Sequence, residues 1–258
     1  MNIQYNSGAI DASGAVSQGW ELIKRNYWMY FGMVLLTYIM ISCIPIGGIF
    51  IAGPVMVGIY TALLRDMRGE PVDFGMMFKG FEKFVPAMVV GLIISIPAII
   101  LQILQFAMNI GANLMESQSR RGSRGGEPDI DALLAILGIY FAVFGGFMIV
   151  NAIWTALFMF ALPLIADNQN LGPIDALTLS AKAAFSNIGG LIVLIIFKGL
   201  ISFLGFLVIC FGLYFVLPLI FAMDIVAFRQ VFPGSAFSPQ NNAPPTPDQY
   251  GGSYGQGM

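Results

Sequence analysis

The sequence predicts an all-α fold, an integral membrane helical bundle of about six transmembrane helices with amphipathic interfacial helices on the cytoplasmic side. Three observations lead there. Hydrophobic residues make up 57% of the chain and charged residues only 10%, whereas a soluble domain carries roughly 25% charge. The mean hydropathy is +0.80. The apolar residues gather into runs of about 20, the length that crosses a ~30 Å hydrocarbon core as a helix.

The chain opens with an N-terminal segment over residues 1–27. Its start, MNIQYNSGAIDASG, lacks a charged region leading into an apolar stretch and a small-residue cleavage site, so no cleaved signal peptide is expected. Residues 11–26 set Val16, Trp20, Ile23 and Tyr27 at helical spacing, and Trp and Tyr suit the headgroup boundary of an interfacial helix. The transmembrane domain follows over residues 28–232. Its first two spans, 28–46 and 48–64, form a hairpin through the turn signal at Pro45, Gly47 and Gly48. The third span is 85–108. The fourth lies within 132–166, 35 residues that are too long for one straight crossing and fit a tilted or kinked helix better than two shorter ones. The fifth and sixth, 188–209 and 211–228, meet at Gly212. Pro54, Pro97, Pro163 and Pro218 fall inside spans and mark expected kinks, because proline leaves a carbonyl without its helical partner.

Two further amphipathic segments lie between spans. Phe74, Met77, Phe81 and Phe84 oppose Asp73, Lys79 and Lys83, and Ile174, Leu177, Ala181 and Phe185 oppose Asp175, Thr178, Lys182 and Ser186. Each opens with a proline, Pro71 and Pro173, the favoured first helical residue. In both cases a proline-bearing span leads in, and aligning Pro218 with Pro54 also aligns Arg229 with Arg65. Either the chain holds an internal repeat about an axis along the membrane normal, or such helices arose independently as local solutions. Residues 233–258 and the RRGSRGGEPD loop at 120–129 are rich in small and polar residues, a composition expected to stay disordered in the tail and mobile in the loop.

Cations set the orientation. With the N-terminus inside, Lys24, Arg25, Arg65, Arg68, Lys79, Lys83, Lys182 and Arg229 are cytoplasmic and only Arg120, Arg121 and Arg124 lie outside, which favours N-in and C-in. The net charge of −2 disfavours nucleic acid as a partner. The absence of histidine, with Cys43 and Cys210 the only cysteines, removes the usual general base and the common Cys/His metal sites. No catalytic residue, metal or cofactor is expected.

Lys198 and Asp224 stand inside the fifth and sixth spans, where each charge costs about 2.5–3.5 kcal/mol. Their depths allow a candidate intramembrane pair, serving either an ion or substrate pathway or simply helix register. Gln102, Gln105 and Asn109 share one face of the third span, and Asn151 lies in the fourth. These are candidate interhelical polar contacts. Cys43 and Cys210 fall near outer helix ends, where a disulfide is conceivable and two small apolar residues are the simpler expectation.

Three stretches carry a family resemblance: GPVMVGIYTALLRDMRGEPVDFGMMFKGFEKF, ALPLIADNQNLGPIDALTLSAKAAFSN and LPLIFAMDIVAFRQVFPG. They resemble a broad group of uncharacterised bacterial polytopic membrane proteins and the membrane-anchor domain fused to some glycerophosphodiester phosphodiesterases. The likeness covers residues 15–233 and implies a six-helix domain of the bacterial inner membrane. It implies no catalytic residues, since the phosphodiesterase chemistry of that group belongs to a separate soluble domain. The expected function is a non-enzymatic scaffold or a lipid- and partner-interacting module, with a small-solute transporter or channel using Lys198 and Asp224 as the alternative. Membrane lipid is the expected partner, along with a protein reached through the cytoplasmic helices or tail.

Overall fold

The computed structural model describes residues 3–43, 47–122, 130–168, 170–208 and 212–233. The 120–129 loop beyond residue 122, Cys210, and the tail from residue 234 lie outside the described residues.

The fold is an all-α bundle. In chain order the helices are α1 (Ala12–Lys24), α2 (Tyr27–Cys43), α3 (Gly47–Met67), the 3-10 helix η1 (Phe74–Lys83), α4 (Phe84–Gly122), α5 (Ile130–Phe158), α6 (Ala161–Asp167), α7 (Pro173–Ser186), α8 (Ile188–Leu207) and α9 (Gly212–Val231). Among the described residues, five spans are long and apolar enough to cross a membrane, and α2, with 17 residues, makes a sixth together with α1 after a 99° bend. At 1.5 Å per residue, α2 is at the lower limit for a crossing.

Two helices form the centre. The apolar windows of α3 and α9 are 61% and 56% buried, against 22% for η1 with α4, 33% for α5 with α6, and 17% for α8. The reason is visible along α3, where glycines let backbones meet. A Cβ on Gly58 would strike the carbonyl of Met77, one on Gly80 the carbonyl of Pro54, and one on Gly53 the carbonyl of Ala87. One on Gly91 would stand 2.7 Å from Gly53 Cα. Close approach through small residues is how helices associate where lipid competes for every large apolar side chain.

The fourth span is a single crossing with a break. Its helix stops at Phe158 and resumes at Ala161, one turn before Pro163, which can offer no N–H to the carbonyl of Met159. Ser180 of α7 repairs the break, accepting from Phe160 N–H at 3.2 Å and donating to Leu157 O at 2.8 Å. Pro163 therefore sits in the first turn of α6 rather than at a kink within a long helix. Pro54, Pro97 and Pro218 lie within continuous helices.

The three amphipathic segments bury part of each expected apolar face, at Ile23, Met77 and Leu177, and leave the rest exposed or half-buried. In α1 the buried stripe is Ala12, Ala15, Gly19 and Ile23, while Trp20 is exposed; Gly19 lies against Ala222 and Met223 of α9. In η1 the buried residues are Met76, Met77 and Gly80, and Phe74 and Phe84 face outward. In α7 they are Ala176, Leu177, Ser180, Ala183 and Ala184, leaving Ile174 and Phe185 more than 60% exposed. Each buried face thus mixes small residues with one or two large apolar ones, Ile23, Met76, Met77 and Leu177, while other large apolar residues stay outside. The two proline-led openings also differ. Pro173 is the first residue of α7, but Pro71 precedes η1, whose cap is Asp73 accepting from Gly75 N–H at 2.8 Å.

Residues 3–11 form a strap that the sequence reading missed. Asn6 N–H donates to Val231 O, Gly8 N–H to Ser186 O and Ala9 N–H to Asn187 Oδ1. Asn187 Nδ2 returns a bond to Asn6 O at 3.0 Å. The start of the chain is thereby stitched to the ends of α7 and α9.

The glycine seam makes a direct prediction. Gly80→Ala should destabilise the protein by at least about 1–3 kcal/mol, the usual penalty of overpacking, because the obstacle is backbone and cannot swing away. Gly145→Ala, with no atom within 4 Å of the added carbon, should leave the melting temperature in detergent unchanged. Equal melting temperatures for the two variants would contradict the seam.

Candidate functional site

Among the described residues, three places carry chemistry or shape beyond packing. The first is the intramembrane pair. Antiparallel α8 and α9 approach where Gly205 faces Gly212 and Val216, and further down Lys198 Nζ lies 2.6 Å from Asp224 Oδ1. Both side chains are largely withdrawn, at 20% and 10% exposure. The hydroxyl of the buried Tyr60, from α3, stands 3.5 Å from Asp224 Oδ2. The two spans thus place their charges together, and α3 closes the third side.

The second is an ion network at the end of the bundle where α3, α6 and α9 finish. Asp167, the last residue of α6 and fully buried, receives Arg229 Nη2 at 2.9 Å and faces Arg68 Nη1 at 3.8 Å. Asp66, also buried, receives Arg25 Nη2 at 2.9 Å and the Tyr30 hydroxyl at 2.8 Å. Arg68 Nε donates to Glu70 at 2.7 Å. Lys83 Nζ donates to the carbonyls of Ile165, Ala166 and Asn168 at 2.7, 2.9 and 3.1 Å, so all three ammonium protons satisfy the open carbonyl end of α6. A cavity of about 140 Å³ opens beside this network, lined among others by Arg65, Arg68, Lys79, Lys83, Glu70 and Asp167.

The third is a groove of about 340 Å³ between α5, α7 and α8, with Ala152, Ala156, Phe185, Ile188, Ile192 and Ile196 among its walls and no polar lining. It exists because α5 leans on α7 and hardly touches α8.

The expected interhelical role of Gln102, Gln105 and Asn109 is not what the structure shows. All three are exposed on α4, and Asn109 Nδ2 donates to Gln105 O of its own helix at 2.8 Å. Asn151 is half-buried on α5. The polar link between the third and fourth spans is instead Trp154 Nε1–H to Ile93 O, at 3.1 Å. Cys43 is an exposed free thiol at the end of α2. Among the described residues no three Cys, Asp or Glu side chains gather as metal ligands would.

The sequence pointed to Lys198 and Asp224 because they interrupt apolar spans. Lys83 and Arg229 gave a weaker signal, cations at span boundaries that served only to orient the chain, and Asp66 and Asp167 were given no role. Tyr30 and Tyr60 gave none, since a tyrosine in an apolar helix reads as lipid-facing or core alike.

Reversing one member of the pair, in Lys198→Asp or Asp224→Lys, should cost about 3–5 kcal/mol by leaving a buried charge unanswered; the double swap should recover most of it. A double swap no more stable than either single would show that the contact carries no coupling. Asp167→Asn should cost a similar amount, read as a lowered melting temperature in detergent, because it strips the compensating charge from two arginines.

No family model, curated protein or solved structure matches the chain, so its function rests on the chemistry of its own residues.

Proposed function

We propose that the chain is a non-enzymatic module of the bacterial inner membrane that packs lipid, with the α5/α7/α8 groove receiving an acyl chain. The observation that carries this is the groove itself: about 340 Å³ with wholly apolar walls, between helices whose outer faces are exposed at Ile149, Ile153, Ile188, Ile192 and Ile196. Water gains nothing in such a space, while a hydrocarbon chain exchanges one apolar neighbour for a better-packed one. Exposed apolar surface on α4, α5 and α8 adds to the area that lipid or a partner helix must cover.

The N-in, C-in orientation belongs to the same proposal. Arg25, Arg65, Arg68, Lys83 and Arg229 come together at one end of the bundle, as positive-inside charges should when they share a membrane face.

A solute pathway through Lys198 and Asp224 is the second reading, favoured by the expense of keeping two charges within apolar spans. Neither the groove nor the cavity at the network includes either residue, which weighs toward the module.

The test uses the protein in vesicles with a phospholipid bearing a photoreactive diazirine on its acyl chain. Labelling should concentrate on residues 149–157 and 184–196, and Ala156→Trp, which fills the groove, should reduce it there alone. Labelling spread evenly over the outer faces of α4, α5 and α8 would sink the proposal. Flux of a small ion or solute that Asp224→Asn abolishes would favour transport instead.

A further inference from the structure

The cavity at the end of α3 shares no residue with the acyl-chain groove and has the opposite character. Its walls come from the last two turns of α3 (Thr61, Leu64, Arg65), from Arg68 and Glu70 just beyond it, from η1 (Lys79, Glu82, Lys83) and from the close of α6 (Ala166, Asp167). These residues lie at or just beyond the ends of candidate spans, where headgroups sit when such spans cross a bilayer. Beside it Phe78 and Phe84 project outward from the same stretch of chain, as aromatic side chains do at a membrane boundary.

The charges around the cavity are unequal in number and unequally committed. Glu70 is held by Arg68 at 2.7 Å, and Asp167 by Arg229 at 2.9 Å, so both carboxylates are answered. Lys83 spends its protons on the α6 carbonyls but keeps its charge. Arg65 reaches Glu70 only at 3.6 Å, too far for a hydrogen bond, which leaves its guanidinium fork available. Lys79 is exposed and has no carboxylate within 4.0 Å among the described residues, and the same holds for Glu82 with respect to cations. With Arg229 counted, five cations face three carboxylates.

From this arrangement we infer that the cavity binds a phosphate-bearing anion, Arg65 and Lys79 donating the hydrogen bonds and Arg68, Lys83 and Arg229 supplying the field. A planar guanidinium matches two phosphate oxygens at once, and an ammonium completes the set as a point charge. Basic pockets between spans on the cytoplasmic side are suited to lipid headgroups, and a free phosphate offers the same chemistry. Glu82 has no cation within 4.0 Å, though it lies in the field of Lys83, and it opposes the anion.

Binding is measured on the full chain in neutral detergent, by native mass spectrometry and thermal shift. The three probes are dihexanoyl phosphatidylglycerol, dihexanoylglycerol as its phosphate-free analogue, and inorganic phosphate. The phospholipid should bind and the phosphate-free analogue should not. Arg65→Ala with Lys79→Ala should weaken binding about thirtyfold, two surface cations at about 1 kcal/mol each. Glu82→Gln should tighten it. All three positions are on the cavity rim, so the ligand-free melting temperature should stay at the wild-type value and separates lost binding from lost folding. Inorganic phosphate binding as tightly as the phospholipid identifies a free anion as the occupant; binding of the phospholipid alone identifies a headgroup. Equal binding of the phosphate-free analogue, or unchanged affinity in the Arg65/Lys79 double variant, overturns the assignment. Neither result bears on the acyl-chain groove, whose test reads other residues.

Discussion

In hydrocarbon a large apolar side chain gains little by exchanging lipid for another helix, so a bundle must be held by close backbone approach and by polar groups that lipid cannot satisfy. The first requirement is met along α3. Gly53 and Gly58 face Gly91, Ala87, Met77 and Gly80 so closely that no side chain fits between them, which brings η1 and the start of α4 onto the central helix. The same device recurs where Gly19 of α1 lies on α9 and where Gly205 of α8 meets Gly212. Phe74, Phe84, Ile174 and Phe185 stay partly outside these seams, which have room only for small residues.

The second requirement explains why polar residues fall where they do. The break before α6 frees Leu157 O and Phe160 N–H, and one serine hydroxyl of α7 serves both. The other end of α6 exposes carbonyls, and Lys83 closes them. Asp167 then ties this short, fully buried helix to α3 and α9 through two arginines. A seven-residue helix has too few hydrogen bonds to stand alone. It persists because both its ends are held by other elements, and in holding it those elements fix the ends of the central helices.

This division also decides what could be read from the chain. Hydropathy and run length gave the helical class and the span positions, since a bilayer imposes them through composition alone. Lys198 and Asp224 stood out because a charge in an apolar span has few tolerable fates. The faces of α1, η1 and α7 followed only in part: Ile23, Met77 and Leu177 turn into the bundle, but nothing local to Trp20 or Phe185 says whether lipid or protein meets it. Gln102, Gln105 and Asn109 shared a helical face as expected, but sharing a face does not supply a neighbour. The strap at residues 3–11 was invisible for another reason: its bonds run to Ser186, Asn187 and Val231, far away in sequence and unmarked by any local motif.

The intramembrane pair bears on function through what its separation would require. At 2.6 Å, Lys198 and Asp224 neutralise each other, and Tyr60 closes the remaining side of the carboxylate. Parting two such charges inside a bundle costs several kcal/mol unless water or a solute takes the place of the lost partner. An alternating mechanism would therefore need a route for that replacement to arrive. The polar cavity ends at the network of Arg68, Asp167 and Lys83 and includes neither member of the pair. The apolar groove reaches mid-span on α8 but offers no group that could accompany an ion. A static role for the pair needs none of this: the ion pair adds a polar lock to the close approach of Gly205 and Gly212, and together they set the register of antiparallel α8 and α9.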